Sequence, residues 1–297
     1  MITNPNVKLN LGLNIIRKRN DGFHDLETLF VPYFGISDTL EIVVGDDYSR
    51  TSAMLQVKYG TETSQECDTP QLIQGMSDDG KLLITIARAE GVDWDPMKDL
   101  TARAYRILAE DYDLPPVKIF LEKTSPVGAG LGGGSSDAAF ALKMLNELCG
   151  LCLSESQLAG YASRLGSDCA FFIYNRPMIG EGRGEILTPF DLKDLDYRQD
   201  HADASSYVLQ VLSPEGIAVS TADAYRGIRP HLPEVPLRDV LSRPFEEWDG
   251  NVVNDFEETV FEKYPELEAI KRSLYDSGAV YASMSGSGSA LFAIYKR

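Results

Sequence analysis

Alternating apolar and polar positions define the first element of this chain, between residues 7 and 16. The apolar set on one side of an extended backbone is Val7, Leu9, Leu11, Leu13 and Ile15. The polar set on the other side is Lys8, Asn10, Gly12 and Asn14. Because the side chains of a strand alternate between its faces, this pattern predicts a half-buried strand with one polar face.

Apolar runs and helical periodicity predict the remaining elements. Strands are predicted at 26–34, 40–44, 82–86, 117–121, 207–212, 280–284 and 290–295. One helix is predicted to begin at residue 99, and three more are predicted at 135–148, 154–165 and 265–277. The helix at 154–165 opens with the capping box Ser154-Glu155-Ser156-Gln157 and ends at Gly166. Apart from 82–86, residues 45–95 show no clear secondary-structure pattern and are assigned no function. Strand-rich segments mixed with paired helices favour an α+β chain of two domains, residues 1–175 and 176–297.

Composition restricts the setting of the protein. Of 297 residues, 28 are basic and 45 acidic, and a net charge of −17 argues against a nucleic-acid partner, which needs a basic face. No apolar run approaches the ~18 residues of a membrane span and no secretion pattern is present, so we expect a cytoplasmic protein without a membrane partner. Cys67, Cys149, Cys152 and Cys169 are then expected to be unpaired thiols. The C-x-x-C spacing at 149–152 has no second pair, so ordinary packing explains it better than a metal or redox site.

A glycine-rich segment carries the most specific chemistry in the sequence. It comprises Pro126, Val127, Gly128, Ala129, Gly130, Leu131, Gly132, Gly133, Gly134, Ser135 and Ser136. Glycine has no Cβ, so its backbone can approach a bound group closely. At the start of a helix the backbone N–H groups form an anion site, and a polyphosphate is the natural ligand of so long a loop. Asp137 is expected in the first helical turn, where its charge suits the helix dipole.

The commoner glycine motifs fit this segment poorly. Gly128, Gly130 and Gly133 satisfy G-x-G-x-x-G, but the helix that follows leads into another helix rather than a second strand. The Walker pattern fails because no Lys-Ser or Lys-Thr pair follows, and the His-Arg-Asp and Asp-Phe-Gly elements of protein kinases are missing. A flexible linker seldom has such a strand–loop–helix context. The loop has no lysine of its own, so Lys8 is the candidate for supplying positive charge, with snorkelling from an edge strand as the alternative.

Residues 126–139 resemble the second motif of the galactokinase–homoserine kinase–mevalonate kinase–phosphomevalonate kinase (GHMP) superfamily. Within it, Asn-Val-Lys-Leu-Asn-Leu at 6–11 and Asp-Gly-Phe-His-Asp-Leu at 21–26 are similar to the branch that phosphorylates 4-diphosphocytidyl-2-C-methyl-D-erythritol. Three further stretches agree with this branch, at 165–168, 180–187 and 284–288. The matches occur in the same order and cover the chain apart from roughly residues 45–95.

The resemblance implies an N-terminal ATP-binding domain of S5-like βαβ type and a C-terminal α/β-sandwich domain. It implies ATP as phosphoryl donor, with its phosphates along Gly128 to Ser136, and Mg²⁺ carried by ATP and contacted by Ser135 or Ser136. Asp168 corresponds to the family's catalytic aspartate, which accepts the proton of the substrate hydroxyl; from the sequence alone it is equally a helix-capping acid. Lys8 would orient Asp168 and stabilise the developing charge.

The resemblance also implies a small-molecule acceptor whose cytosine ring is held by stacking and by hydrogen bonds to its edge. Phe23 and His24 match the first part of that clamp, and Tyr225 is expected to be the second stacking ring. Asn10 is expected to approach the methylerythritol end of the substrate. Asp99 is a departure, since many family members have Asn near the adenine at this position.

The expected function is ATP-dependent phosphorylation of the 2-hydroxyl of this cytidine-diphosphate-linked methylerythritol. The reaction is a step of the methylerythritol phosphate route to isoprenoids, and we expect a monomer or weak homodimer. Asn254 and Asp255 resemble a family pair, for which a structural role is expected. Two alternatives remain: a small-alcohol kinase of the same superfamily acting on homoserine or mevalonate, and a non-catalytic nucleotide-binding protein on the same fold.

Overall fold

The computed structural model describes residues 1–45, 47, 49–60, 69–199 and 205–297, which divide into two compact units. Unit 1 consists of Met1–Asn6, Ile36–Ser125 and Gly133–Tyr174. Unit 2 consists of Val7–Gly35, Pro126–Gly132 and Asn175–Arg297. The predicted boundary after residue 175 treats each domain as one continuous stretch, whereas the observed contacts place 7–35 and 126–132 with the C-terminal part. Strand pairing between distant segments is the reason for this difference.

Strands and helices are mixed through the described chain. The strands are β1 (Ile2–Thr3), β2 (Asn6–Lys18), β3 (His24–Ser37), β4 (Thr39–Val44), β5 (Leu72–Met76), β6 (Leu82–Arg88), β7 (Val117–Lys123), β8 (Met178–Gly182), β9 (Ile186–Pro189), β10 (Leu195–Asp196), β11 (Tyr207–Leu212), β12 (Tyr281–Met284) and β13 (Leu291–Lys296). The helices are α1 (Arg50–Tyr59), α2 (Leu100–Ala109), α3 (Gly133–Leu148), α4 (Glu155–Leu165), α5 (Cys169–Tyr174), α6 (Thr221–Arg226), α7 (Leu237–Leu241), α8 (Phe256–Lys263) and α9 (Pro265–Asp276).

Unit 1 is built on a sheet with the strand order β1-β4-β7-β6-β5. Strands β6 and β7 run parallel, with Ile84 opposite Ile119, and α2 connects them in a βαβ unit. The other neighbouring strands pair antiparallel. Helices α2 to α5 pack on one another. Unit 1 therefore contains both β7 and α3, the two elements that flank the glycine segment.

Unit 2 contains two sheets. In the first, with the order β2-β3-β8-β9, β3 pairs antiparallel with β8 and Leu26 lies opposite Gly182. This pairing joins residues 7–35 to the C-terminal part of the chain. The second sheet has the order β10-β11-β13-β12. Buried side chains from β2, α8, α9, β12 and β13 share one core, which includes Leu13, Ile15, Phe256, Val260, Leu267, Leu274, Met284 and Leu291.

The predicted strands and helices are confirmed, as is the capping box at Ser154. The half-buried character of β2 is wrong, because Lys8 and Asn10 on its polar face are only 4% and 3% exposed. Alternation cannot reveal this, since hydrogen bonds can satisfy polar groups in the interior. Helix α3 begins two residues earlier than predicted, so Asp137 lies beyond the first turn and its carboxylate pairs with Lys123 instead.

Two elements within residues 45–95, α1 and β5, were not predicted. Only Thr51 and Leu55 of α1 are buried, so the helix has no apolar stripe that a pattern could reveal. The described cysteines are free thiols, as expected, and Cys67 lies outside the described residues.

Candidate active site

The glycine segment starts where β7 ends and runs into α3. Gly128, Gly130 and Gly132 have φ angles of +73°, +77° and +70°, in the left-handed region that favours glycine. Gly130 is constrained a second time, because an added Cβ would lie 2.2 Å from the carbonyl oxygen of Ser285. An added Cβ at Gly128 would meet nothing within 4 Å. The backbone of Gly130 is therefore packed against the loop after β12, while Gly128 faces open space.

Lys8 is held on β2 beside this glycine. Its Nζ donates to the carbonyl oxygen of Gly130 at 2.9 Å and to Oδ1 of Asn10. Its backbone N–H donates to the carbonyl oxygen of Leu131, also at 2.9 Å. The ammonium group lies 5.5 Å from the ring centroid of Phe30. Because the residue is only 4% exposed, Lys8 does not snorkel to solvent.

Ser285 links the same strand to the glycine segment, a contact that the sequence did not predict. Its Oγ accepts a hydrogen bond from the backbone N–H of Asn10 and donates one to the carbonyl oxygen of Gly130, both at 3.2 Å. The side-chain amide of Asn10 is engaged at both ends, because its Nδ2 donates to Thr28 at 3.0 Å and its Oδ1 accepts from Lys8. The available signal was the matching stretch at 284–288, whose chemistry the sequence left unassigned.

Asn254 fixes the loop that carries Ser285. Its Nδ2 donates to the carbonyl oxygens of Met284 at 2.7 Å and Gly286 at 2.8 Å. The neighbouring carboxylate of Asp255 accepts a hydrogen bond of 2.6 Å from a backbone N–H of β2. These are the contacts of a structural pair that holds the strand and the loop.

His24 and Tyr225 stack on each other in unit 2, with ring centroids 4.8 Å apart and planes inclined by 19°. Burial, together with the charge of Lys18, lowers the pKa of His24, so its imidazole is neutral near pH 7. Phe23 is 55% exposed, and the guanidinium of Arg183 lies 5.1 Å from its ring centroid. Arg183 belongs to the turn between β8 and β9, within the motif at 180–187. The structure thus brings His24 and Tyr225 into contact within unit 2, and Phe23 directly precedes His24 in the chain.

Asp168 is half-buried in unit 1, immediately before α5. Burial raises the pKa of the next residue, Cys169, to about 12. Helix α5 packs against α3, whose first turn contains Ser135. Lys8 belongs to unit 2, so the pairing of Lys8 with Asp168 stays a prediction.

Ser136 is fully buried near the start of α3, and its Oγ has no hydrogen-bond partner among the described residues. A serine hydroxyl at the start of a phosphate-binding helix is a suitable Mg²⁺ ligand. Ser136 therefore fits the predicted metal contact. Within the described ranges, no group of three or more His, Cys, Asp or Glu side chains could hold a metal ion.

A buried ion-pair network lies at both ends of the glycine segment, and the sequence did not reveal it. Lys123 Nζ contacts Oδ2 of Asp38 and lies 2.7 Å from Oδ2 of Asp137. Burial opposes the charge of Lys123, but the two carboxylates outweigh it and raise the pKa of Lys123. The ammonium group is therefore charged at physiological pH. The available signal was the presence of ionisable residues at the end of an apolar strand and within an apolar helix.

Asp99, the residue that departs from the family pattern, caps α2. Its Oδ1 accepts from the backbone N–H of Thr101 at 2.9 Å, and its Oδ2 accepts from Nε1 of Trp94 at 3.1 Å. Both carboxylate oxygens are thus used inside unit 1, which explains the acid as a helix cap.

Comparison with known proteins places these features in one family. The models for the GHMP kinases N terminal domain and the GHMP kinases C terminal match residues 99–176 and 241–297. A 4-diphosphocytidyl-2-C-methyl-D-erythritol kinase of Bacteroides fragilis is 42% identical over 295 residues, covering 99% of this chain and 92% of the relative. That of Azobacteroides pseudotrichonymphae is 40% identical, covering 100% and 94%. The chain belongs to the 4-diphosphocytidyl-2-C-methyl-D-erythritol kinase family.

Solved structures agree with membership of this kinase family. The crystal structure of a 4-(cytidine 5'-diphospho)-2C-methyl-D-erythritol kinase is 28% identical and covers 99% of this chain and 89% of its own, with a TM-score of 0.69. The homoserine kinase of Cytophaga hutchinsonii is 15% identical, covers 98% and 85%, has a TM-score of 0.59 and shows the fold alone. The predicted two-domain α+β GHMP fold is confirmed, and the protein is a kinase that, as a GHMP member, uses ATP. No helix in the described part of the chain is long and apolar enough to span a membrane.

Proposed function

We propose that this kinase transfers the γ-phosphoryl group of ATP to the 2-hydroxyl of 4-diphosphocytidyl-2-C-methyl-D-erythritol, within the methylerythritol phosphate route to isoprenoids. The observation that carries the proposal is the hydrogen bond from buried Lys8 to the carbonyl oxygen of Gly130. It joins the N-terminal motif of this family to the loop for which ATP phosphates are the expected ligand. The names of the relatives support the choice of acceptor.

Phosphoryl transfer depends mainly on positioning and on charge stabilisation. The hydroxyl oxygen of the acceptor forms a bond to the γ-phosphorus, and the bond from that phosphorus to the bridging oxygen of ADP breaks. The hydroxyl proton passes to the carboxylate of Asp168, and ADP leaves with the electron pair. Mg²⁺ bound to ATP supplies neutralisation of the phosphate charge, and Ser136 is the residue that would hold it.

Lys8 supplies a fixed positive charge in this proposal. A buried ammonium group that is already aimed needs little reorganisation when charge develops in the transition state. Asn10 accepts one of the hydrogen bonds of Lys8, which supports a role for Asn10 in orienting it. The approach of Asn10 to the methylerythritol end stays a prediction.

The cytosine ring is held, in this proposal, by Phe23, His24 and Tyr225. A neutral imidazole donates from one nitrogen and accepts at the other, which suits the mixed donors and acceptors of the cytosine edge. The ring of Phe23 is 55% exposed, so a base can reach it and stack on it. Tyr225 already stacks on His24, so it also fixes the orientation of the imidazole.

We further propose a cytoplasmic enzyme with a small-molecule substrate and no nucleic-acid partner. The net charge of −17 supports the last point, since polyanions repel one another. A monomeric or weakly dimeric state stays a prediction.

A coupled assay of ADP release tests the proposal. It uses MgATP and 4-diphosphocytidyl-2-C-methyl-D-erythritol, referred to below as the cytidylyl acceptor. Asp168→Asn keeps the shape of the side chain and removes the base, so we expect kcat to fall by about 10²–10⁴-fold. For Lys8→Met we expect a large fall in kcat with little change in the KM for ATP. Asp113→Asn is the matched control, because that carboxylate is 96% exposed in the same unit as Asp168.

Three results would contradict the proposal. A folded Asp168→Asn variant with near-normal kcat would exclude this residue as the base. Turnover of homoserine or mevalonate, without turnover of the cytidylyl acceptor, would favour another kinase of the superfamily. Binding of ATP without turnover of any of the three acceptors would favour a non-catalytic protein.

A further inference from the structure

The buried side chains Lys123, Asp38 and Asp137, with Ser125, form a cluster at the base of the glycine segment. We infer that this cluster, the loop-root clamp, joins the two ends of the segment and thereby sets the shape in which it receives ATP. The inference rests on the proposed nucleotide role of the segment. It adds positioning residues that lie outside the segment itself.

The first end of the segment is fixed by Asp38, at the turn between β3 and β4. Its Oδ1 accepts hydrogen bonds from the backbone N–H groups of Thr124 and Ser125, each at 2.7 Å. Its Oδ2 accepts a third from Oγ of Ser125, also at 2.7 Å. One carboxylate thus holds the last two residues before Pro126, and its remaining contact is to Lys123.

The second end is fixed through α3. Lys123 Nζ donates to Oδ2 of Asp137 at 2.7 Å and to Oγ of Ser125 at 3.3 Å. An added Cβ on Gly133 would lie only 2.4 Å from that same Oγ. Ser125, just before the segment, and Gly133, within it, are therefore packed directly on each other, and the ion pair of Lys123 with Asp137 lies one helical turn further along α3.

The chemistry of the clamp indicates that it fixes the conformation of the loop rather than adding to the stability of the fold. The side chains of Lys123, Asp38 and Asp137 are 4%, 1% and 2% exposed, so three ionisable groups have been taken out of water. A buried ion pair rarely stabilises a fold more than apolar side chains of the same volume would, and its best-attested use is to specify one arrangement. Between the two fixed ends lie seven residues, Pro126–Gly132, of which three are glycines at positive φ. So many glycines leave a loop with many conformations unless its ends are held.

The test compares Asp137→Asn with a control on the same strand. Asp137→Asn keeps the side-chain shape and replaces one carboxyl group of the clamp with an amide. Glu122→Gln removes the carboxylate of another ion pair, in which buried Glu122 lies 2.6 Å from Nζ of Lys58. Glu122 directly precedes Lys123 on β7, so the two side chains point to opposite faces of the strand. The readouts are the affinity for MgATP by titration calorimetry without acceptor, the KM for each substrate, kcat and the melting temperature.

For Asp137→Asn we expect the Kd and KM for ATP to rise by about ten-fold or more, as a misplaced binding loop would cause, with the KM for the acceptor within about two-fold. Glu122→Gln should lower the melting temperature while leaving ATP affinity within about two-fold. Lys123→Met should weaken ATP binding further, and Lys123→Arg should recover part of that loss because it keeps the charge. If Lys123→Met fails to fold, the Asp137→Asn and Lys123→Arg variants decide the question.

Equal ATP affinity in the Asp137→Asn and Glu122→Gln variants would overturn the inference, as would a change in melting temperature alone. The clamp inference and the proposed function can each be rejected without rejecting the other. Weakened MgATP binding by the clamp variants, in a chain that does not phosphorylate the cytidylyl acceptor, would support the clamp and reject the proposed substrate. Normal turnover and ATP affinity in the clamp variants would support the substrate and reject the clamp.

Discussion

Gly130→Ala is the substitution for which the structure gives the sharpest expectation. The added Cβ would lie 2.2 Å from the carbonyl oxygen of Ser285 and 3.2 Å from the backbone of Gly288. Ordinary contact for such an atom begins at 3.4 Å, so the two loops must separate by 3.4 − 2.2, or about 1.2 Å. All the atoms in conflict are backbone atoms, which cannot turn aside as a side chain would.

Gly128→Ala is the matched control for this substitution. Its φ of +73° is close to the +77° of Gly130, so both variants carry the same conformational strain, about 1–2 kcal/mol. Only Gly130 adds a collision, since a Cβ at Gly128 meets nothing within 4 Å. Overpacking of this kind costs about 1–3 kcal/mol, so the free energy of unfolding should be lower in Gly130→Ala than in Gly128→Ala by that amount.

The assay is urea unfolding of both variants together with their kcat/KM for ATP. A displacement of about 1 Å at a substrate-positioning loop can cost about 10²-fold in rate, and we expect a loss of that order for Gly130→Ala beyond any loss in Gly128→Ala. Equal stability and equal activity of the two variants would refute the reasoning, because the collision is the difference between them.

Three further outcomes are expected. Tyr225→Ala should raise the KM for the cytidylyl acceptor by about ten-fold and spare the KM for ATP, whereas Tyr225→Phe should stay near wild type; an unchanged acceptor KM in Tyr225→Ala would exclude a stacking role. In the native protein at pH 8, iodoacetamide should label exposed Cys152 and spare Cys169, whose pKa burial raises to about 12, and mass spectrometry of the labelled peptides checks this. Burial lowers the pKa of Lys143 from 10.5 to about 8, so the unfolded chain keeps this proton to higher pH and stability should rise between about pH 8 and 10.5. Relative to Lys143→Met, the rise is at most about 3 kcal/mol, and parallel pH curves for the two proteins would contradict it.

Local patterns were sufficient to predict most elements and the side of β2 on which its polar residues lie. They could not show that this side is buried, because the groups that satisfy Lys8 and Asn10 come from residues 130 and 285. The stacking of Tyr225 on His24 was likewise beyond any local rule, since about two hundred residues separate the two rings. Its expectation came from family resemblance.

The loop-root clamp shows a different limit of sequence reasoning. A lysine and two aspartates carry no periodic signal, and each alone is more often a solvated surface residue. Their contact with one another depends on the pairing of β4 with β7 and on the packing of Gly133 against Ser125, which are features of the tertiary structure. The domain boundary has the same cause, because the pairing of β3 with β8 is a contact between residues far apart in the chain.

The alternation of the chain between its two units has a consequence for its biogenesis. Each unit is assembled from three separate segments, so neither is complete when a ribosome has synthesised only the first half. Strands β2 and β3 are made early but must wait for β8, which pairs with β3 across about 150 residues of intervening sequence. A fragment limited to residues 176–297 would expose the unpaired edge of β8, so splitting the gene there should give insoluble halves. Until β8 has been made, β3 keeps an unpaired edge, and unpaired strand edges promote aggregation.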